Sequence, residues 1–323
     1  MAGVYADRIA DLDGASVTAV ASPNTAESFV ADRVPSATAY ADATRLCEAG
    51  DVDAVAVLTP TDTHRRLVEV AAEHGLDVVC EKPVARTLAG ADAIRAAVES
   101  TGITFMAAHV VRFDPAYAEA KARVDDGVVG TPGVARTKRA FGFEGARGWF
   151  DDFEASGGVL LDLAIHDFDY LRWTLGPVER VFTRQVDWTD AGTSDVSLSL
   201  LRFESGAVAH VEAWAVEGPS VPFSTAFEIA GDDGHLAFDL DDVRPLVRYG
   251  ADGVSTPRDP VGDDLPLERD AYYRQLEHFV ECVRTGAEPS VPLAEGVASM
   301  RVSLAAIESA RRGEPVAVAE VDG

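Results

Sequence analysis

Two hydrophobic rhythms divide the chain, and the change falls near residue 130. Before it, short apolar runs alternate with windows whose apolar residues recur three and four apart, the spacing of one helix face. Val4, Ile9 and Leu12 predict a helix ending at Asp13-Gly14, and residues 15–21 a short buried strand. A helix is expected from about Thr25, whose hydroxyl can cap exposed N–H groups. A strand at 38–40, a helix at 42–49 and the clearest buried strand at 54–58 follow. Leu67, Val68 and Ala71 share a helix face; 77–80 is strand-like; Leu88, Ala91, Ile94 and Val98 form another helical stripe before a strand at 103–106. Repeated strand–helix units with short connections predict a parallel, doubly wound sheet, a Rossmann-type α/β domain over residues 1–115.

Beyond 130, strand-like runs succeed one another at 178–188, 196–203, 207–214, 223–230 and 235–238. Turn signals such as Glu204-Ser205-Gly206 and Asp232-Asp233-Gly234 separate them. Helical patterns at 271–284 and 293–312 close the chain. Residues 116–323 therefore read as an α+β domain with a large, mostly antiparallel sheet.

A doubly wound nucleotide domain opens with a strand, a Gly-rich turn and a helix. This chain opens at the helix, without a G-x-G-x-x-G. Met1-Ala2-Gly3 looks like the tail of such a turn, which makes Ala2 a cofactor-side candidate. The expectation is a natural protein with roughly ten more residues upstream, about one strand and half a turn; the alternative is a variant that tolerates the loss.

The composition narrows the class. The formal charge is −26, from 54 acidic against 28 basic residues, which disfavours nucleic acid and anionic membranes as partners. Lys82, Lys121 and Lys138 are the only lysines. High acid with little lysine suggests a halophilic protein, in which salt screens the self-repulsion; an ordinary acidic enzyme is the alternative. There is neither a secretory signal nor a membrane-span pattern, so a cytoplasmic protein is expected. Three cysteines without a C-x-x-C pair suggest buried hydrophobes rather than a disulfide or zinc framework.

Three patterns carry chemistry. Thr59, Pro60 and His64 lie where the strand at 54–58 meets a helix start, and ligands of open α/β sheets bind at such strand ends. Thr61 or Thr63 can cap that helix, and its free N–H groups suit a dinucleotide; His64 alternatively reads as a surface histidine. Glu81-Lys82-Pro83 follows the strand at 77–80, either as site residues or as a structural ion pair. Gly157-Gly158 introduces a helix on which Asp162 and His166, four apart, share a face. There a carboxylate can orient an imidazole as general base; a surface Asp–His pair is the structural alternative. A metal site using His166, Asp167 and Asp169 is disfavoured, because adjacent helix residues diverge by about 100°. The second strand runs into Ala21-Ser22-Pro23-Asn24 without the acid that would bind the ribose 2′-OH of NAD, so Ser22 and Asn24 favour NADP over NAD.

The ordered set T-P-x-x-x-H, E-K-P and G-G-x-x-x-D-x-x-x-H resembles the Gfo/Idh/MocA oxidoreductases, the family of glucose–fructose oxidoreductase and inositol dehydrogenase. His109-Val110-Val111-Arg112-Phe113-Asp114-Pro115 resembles that family's segment after the last Rossmann strand. The resemblance spans essentially the whole chain and implies hydride transfer between nicotinamide and a hydroxyl carbon of a sugar, sugar derivative or cyclitol. It implies Lys82, Asp162 and His166 at the reacting centre. Ala2, Ser22, Asn24, Thr59, Pro60, His64, Glu81 and Lys82 are then expected beside the cofactor, and His109, Arg112 and Trp149 beside the substrate. A homo-oligomer through the second domain's sheet is implied as well. The rival readings are an NAD-dependent glycosidase of the same family and a non-catalytic cofactor-binding regulator.

Overall fold

The computed structural model describes residues 1–143, 148–186, 196–217, 221–241, 246–250, 253–255 and 269–321. In chain order the elements are α1 (Ala2–Ala10), β1 (Ala19–Ala21), α2 (Ala26–Arg33), β2 (Thr38–Tyr40), α3 (Ala43–Ala49), β3 (Ala54–Val57), α4 (Thr61–Glu73), β4 (Asp77–Glu81), α5 (Leu88–Thr101) and β5 (Phe105–Ala108). Then come α6 (Pro115–Asp125), β6 (Pro132–Phe143), α7 (Phe153–Ser156), α8 (Gly158–Asp162), α9 (Ile165–Leu175), β7 (Val178–Val186), β8 (Val196–Phe203), β9 (Val208–Glu217), β10 (Ser224–Gly231) and β11 (Gly234–Asp239). β12 (Leu246–Gly250), β13 (Gly253–Ser255), α10 (Ala271–Thr285), α11 (Leu293–Arg312) and β14 (Val316–Ala317) complete the chain. Asp187 and Trp188, the end of one expected run, lie outside the described residues.

Two compact units emerge: Met1–Phe113 with Leu267–Val297, and Asp114–Pro266 with Ala298–Gly323. In the first, the parallel strands form two sheets, β1-β2 and β3-β4-β5. β4 and β5 are buried on both faces, Val78, Val79, Cys80, Met106 and Ala107 being at most 1 % exposed. That burial explains why their sequences are unbroken apolar runs. α10 belongs to this unit: Arg8 pairs with Asp270 at 2.8 Å, and Gln275 donates to Tyr5 Oη at 2.9 Å.

The second unit is built on a nine-stranded sheet in the order β13-β12-β11-β10-β6-β9-β8-β7-β14. All its pairings are antiparallel except the central one, β6 with β9. Its inner face carries Ala135, Leu201, Phe203, Val211, Phe227 and Ile229, all buried. α8 and α9 pack on that face over β6, β8 and β9. Tyr117, Tyr170, Phe227 and Phe238 stack there with ring centroids 4.7–5.5 Å apart. The outer face is unusual: Val134, Val186, Leu198, Leu200 and Val208 are 45–55 % exposed on it.

Candidate functional site

In the first unit, β1, β3 and β4 each end in a loop at the carboxyl edge of a parallel strand, where ligands of such sheets bind. The helices after β1 and β3 start without a side-chain cap, whereas Asp42 and Thr87 cap α3 and α5. The expected threonine caps do not form. Thr25 Oγ1 is spent on Ser22 Oγ at 2.7 Å. Thr61 is the first residue of α4 and 3 % exposed, and the Thr63 hydroxyl donates back to Pro60 O at 2.7 Å while meeting Thr59 Oγ1 at 2.6 Å. Helix starts without side-chain caps, flanked by the Ser22 and Thr59 hydroxyls and by the exposed Asn24, have the donors a dinucleotide's phosphates and riboses require. Ala2 is exposed as the first residue of α1, which Met1 precedes without a side-chain cap.

At the end of β4, the Glu81 carboxylate accepts from Tyr5 Oη and from the Lys82 backbone N–H, each at 3.2 Å. Tyr5 and Gln275 are buried, and burial together with Glu81 pushes the Tyr5 phenol well above its ordinary pKa. Two donors thus orient Glu81, and its neighbour Lys82 stands half-buried at the strand end. His64 is 1 % exposed, so it is not a surface histidine. Its Nδ1 lies 2.9 Å from Pro83 O and its Nε2 2.8 Å from Thr59 O. Burial lowers its pKa, and the Thr59 and Pro83 carbonyls oppose that shift. His109 is fully buried, and Arg112 donates to Glu295 Oε2 at 2.8 Å in a charge-assisted ion pair.

In the second unit, Gly157 and Gly158 hold φ of +74° and +66°. A Cβ on Gly157 would stand 2.5 Å from Leu161 Cδ2, so glycine is required there. The helix expected to carry Asp162 and His166 together is instead two helices. Asp162 ends α8, and His166 lies in the first turn of α9. Between them the ladder slips: Ala164 N–H takes Val159 O, five residues back, and His166 N–H takes Leu163 O, three back. The four-residue spacing therefore does not put the two on one regular helix face. Both are half-buried.

Their neighbours point inward. Asp167, fully buried, accepts from Arg139 Nε at 2.8 Å, and Ser299 donates to Asp169 at 2.7 Å. These two carboxylates serve the core. Trp149 is 38 % exposed on the short turn Gly148–Asp151. Lys82 belongs to the first unit, Asp162 and His166 to the second. Sequence reasoning missed Tyr5, Gln275 and Arg139. Only the placement of polar residues at inward strand or helix positions marks them.

Parallel strands with helix starts open at their carboxyl ends, joined in one chain to a large sheet-based unit, define a two-domain protein with a Rossmann-type half. A family model described as "Oxidoreductase family, NAD-binding Rossmann fold" matches residues 1–109, and its companion, "Oxidoreductase family, C-terminal alpha/beta domain", matches 121–318. The chain belongs to the Gfo/Idh/MocA oxidoreductase family. It is 32 % identical over 282 residues to scyllo-inositol 2-dehydrogenase (NAD(+)) of Bacillus subtilis, covering 82 % of this chain and 77 % of the relative. It is 31 % identical over 299 residues to D-xylose 1-dehydrogenase (NADP(+)) 2 of Haloferax volcanii, covering 90 % and 87 %. Among solved structures, an oxidoreductase from Agrobacterium radiobacter in complex with NAD+, L-tartaric acid and magnesium superposes with a TM-score of 0.85. The identity there is 26 %, covering 98 % of this chain and 95 % of that one.

Proposed function

We propose that this chain transfers a hydride between NAD(P) and a hydroxyl-bearing carbon of a sugar, sugar derivative or cyclitol. The observation that carries the reading is Lys82 at the carboxyl end of β4, the middle strand of its sheet, held by the oriented Glu81 turn beside the uncapped start of α4. Relatives named for inositol and xylose support the substrate class. The bound nicotinamide accepts or supplies the hydride. Lys82 donates a hydrogen bond to the reacting oxygen and stabilises negative charge on it. His166, assisted by Asp162, takes or returns the hydroxyl proton. Ser22, Asn24, Thr59 and Pro60, with Ala2 at the start of α1, serve the cofactor. Trp149 shapes the substrate side, with His109 and Arg112 supporting it from within the core.

NADP is the proposed preference, because the loop after β1 carries no carboxylate to claim a ribose 2′-OH. A chain of net charge −26 with three lysines supports work in concentrated salt, and the proposed location is the cytoplasm. A second copy is the proposed partner for the outer sheet face. That face holds a groove of about 410 Å3 floored by Val134, Phe182, Leu200 and Val208. Arg136–Glu228 and Arg202–Glu179 ion pairs, at 3.3 and 3.1 Å, supply charges of both signs that a two-fold contact can match.

The experiment is a panel of polyols and aldoses with NAD+ and with NADP+ in high salt, followed by nicotinamide absorbance. Turnover of at least one is expected, with Lys82→Ala lowering kcat by at least about a hundredfold. Net bond cleavage without cofactor turnover would favour a glycosidase instead, and near-normal turnover of the Lys82 variant would reject its role.

A further inference from the structure

His64 presents an arrangement that neither a cofactor ligand nor a packing residue requires. It is buried, and each ring nitrogen faces a backbone carbonyl: Pro83 O at 2.9 Å from Nδ1 and Thr59 O at 2.8 Å from Nε2. A neutral imidazole donates from one nitrogen and accepts at the other, and a carbonyl only accepts. In the neutral ring, then, one contact is a hydrogen bond and the other is not. Burial decides between them. The Pro83 contact is buried, whereas the Thr59 contact is only part-buried on an exposed residue. A buried carbonyl left without a donor is the costlier loss, because water cannot replace the bond.

We propose that His64 is a positioning residue for Lys82: as the Nδ1–H tautomer it donates to the Pro83 carbonyl and pins the Lys82-Pro83 turn to the first turn of α4. The inference rests on the role given to Lys82 above and removes His64 from the residues that touch the cofactor. The geometry is economical. His64 lies three residues into α4, and the Pro83 carbonyl lies one residue beyond Lys82. One hydrogen bond therefore joins the first turn of α4 to the loop after β4. Glu81 is anchored on the other side of Lys82 by Tyr5. The lysine is thus bracketed by two anchored neighbours and held at a fixed point of the strand edge. Burial lowers the His64 pKa, and Lys82 lowers it further against the opposing carbonyls and Asp62, which keeps the single-proton form in place at neutral pH.

Three measurements test this. In 15N-histidine-labelled wild-type protein at neutral pH, His64 is expected with a protonated, exchange-protected Nδ1 and a bare Nε2. The opposite tautomer overturns the proposal. Because the chain has only three lysines, 13C-methylated lysines give three assignable signals without reference to activity. In His64→Phe the Lys82 signal should move while those of Lys121 and Lys138 stay; an unmoved Lys82 signal overturns it. His64→Phe should also lower kcat about tenfold or more in the wild-type background and by less than about twofold in Lys82→Ala, because a group that acts through another has no effect once that other is gone. Equal losses in both backgrounds would show a role independent of Lys82. Should His64→Phe fail to fold, His64→Leu, which also lacks the donor, carries the same tests; an unmoved Lys82 signal or wild-type kcat there overturns the idea. If Lys82→Ala itself turns over normally, the functional reading fails, while the tautomer and the lysine spectrum still judge the His64 contact on its own.

Discussion

Replacing Arg139 by methionine gives the strongest test of how the second unit holds the helix that carries His166. Arg139 is an inward residue of β6, its side chain 5 % exposed, and it meets the fully buried Asp167 of α9 at 2.8 Å. Tyr117 Oη takes a weaker bond from the same guanidinium at 3.4 Å and meets Thr225 Oγ1 at 2.5 Å. Burial raises the Asp167 pKa and Arg139 opposes the rise, so the carboxylate relies on this partner to stay ionised. Methionine fills comparable volume but leaves Asp167 as a buried charge without its counterion. Breaking such a pair costs about 3–5 kcal/mol. At roughly 2–4 °C per kcal/mol for a unit of this size, the loss in Tm is about 6–20 °C. The double variant Arg139→Met with Asp167→Leu removes both charges and should recover most of that, because an apolar pair often replaces a buried ion pair at little cost. The assay is thermal unfolding by circular dichroism at pH 7 for both single variants and the double. A single-variant loss below about 2 °C, or a double variant as unstable as the sum of the singles, would refute the reasoning.

Three further outcomes are expected. Burial lowers the pKa of both His64 and His278, so their contribution is fully present above the unfolded-state value of about 6.5. It is lost as pH falls through that value to the folded one, because the unfolded chain binds protons first. Wild-type Tm should therefore drop between pH 7.5 and 5.5, by less in His64→Gln; a Tm that rises instead would contradict the burial argument. If the proposed pairing through the outer sheet face holds, wild type scatters light as a dimer and Leu200→Glu, at a position 55 % exposed there, as a monomer; equal masses for the two would reject that face as the contact. Gly296→Ala should cost about 1–3 kcal/mol, since a Cβ there would lie 2.8 Å from both Ala107 Cβ and Val84 Cγ1; a Tm within 1 °C of wild type would show that the neighbours yield freely.

Much of the fold was legible because its apolar residues sit where period and burial agree. β4 and β5 are continuous apolar runs buried on both sides, and α11 spans the expected 293–312. β6, at the centre of the larger sheet, was not legible for a physical reason. Its inward positions are Ala135, Thr137 and Arg139, and its outward ones include Val134, so the hydrophobic alternation is inverted. Inversion of that kind follows when a strand buries an ionic network on one side and leaves the other apolar. β12 and β13 had no apolar run of strand length to announce them.

For the site, the sequence identified residue types and strand ends but could not rank burial. His64 reads as a cofactor-side or surface residue and His109 and Arg112 as substrate-side residues, and all three are buried; His64 meets backbone carbonyls and Arg112 meets Glu295. A histidine near a helix start looks the same in sequence whether it meets solvent, a phosphate or a carbonyl nineteen residues away. The distinction lies in the long-range contact, which no local pattern encodes. The same limit hid Tyr5 and Gln275, whose side chains meet across 270 positions. Lys82 is the contrasting case. It is half-buried at a strand end, between a glutamate anchored by Tyr5 and a proline whose carbonyl faces His64. Anchoring both neighbours fixes where the strand end presents this residue, because the cost of ordering the turn is met by the fold itself. The role proposed for Lys82 rests on that placement, and the turnover of Lys82→Ala is what decides between it and a structural ion pair.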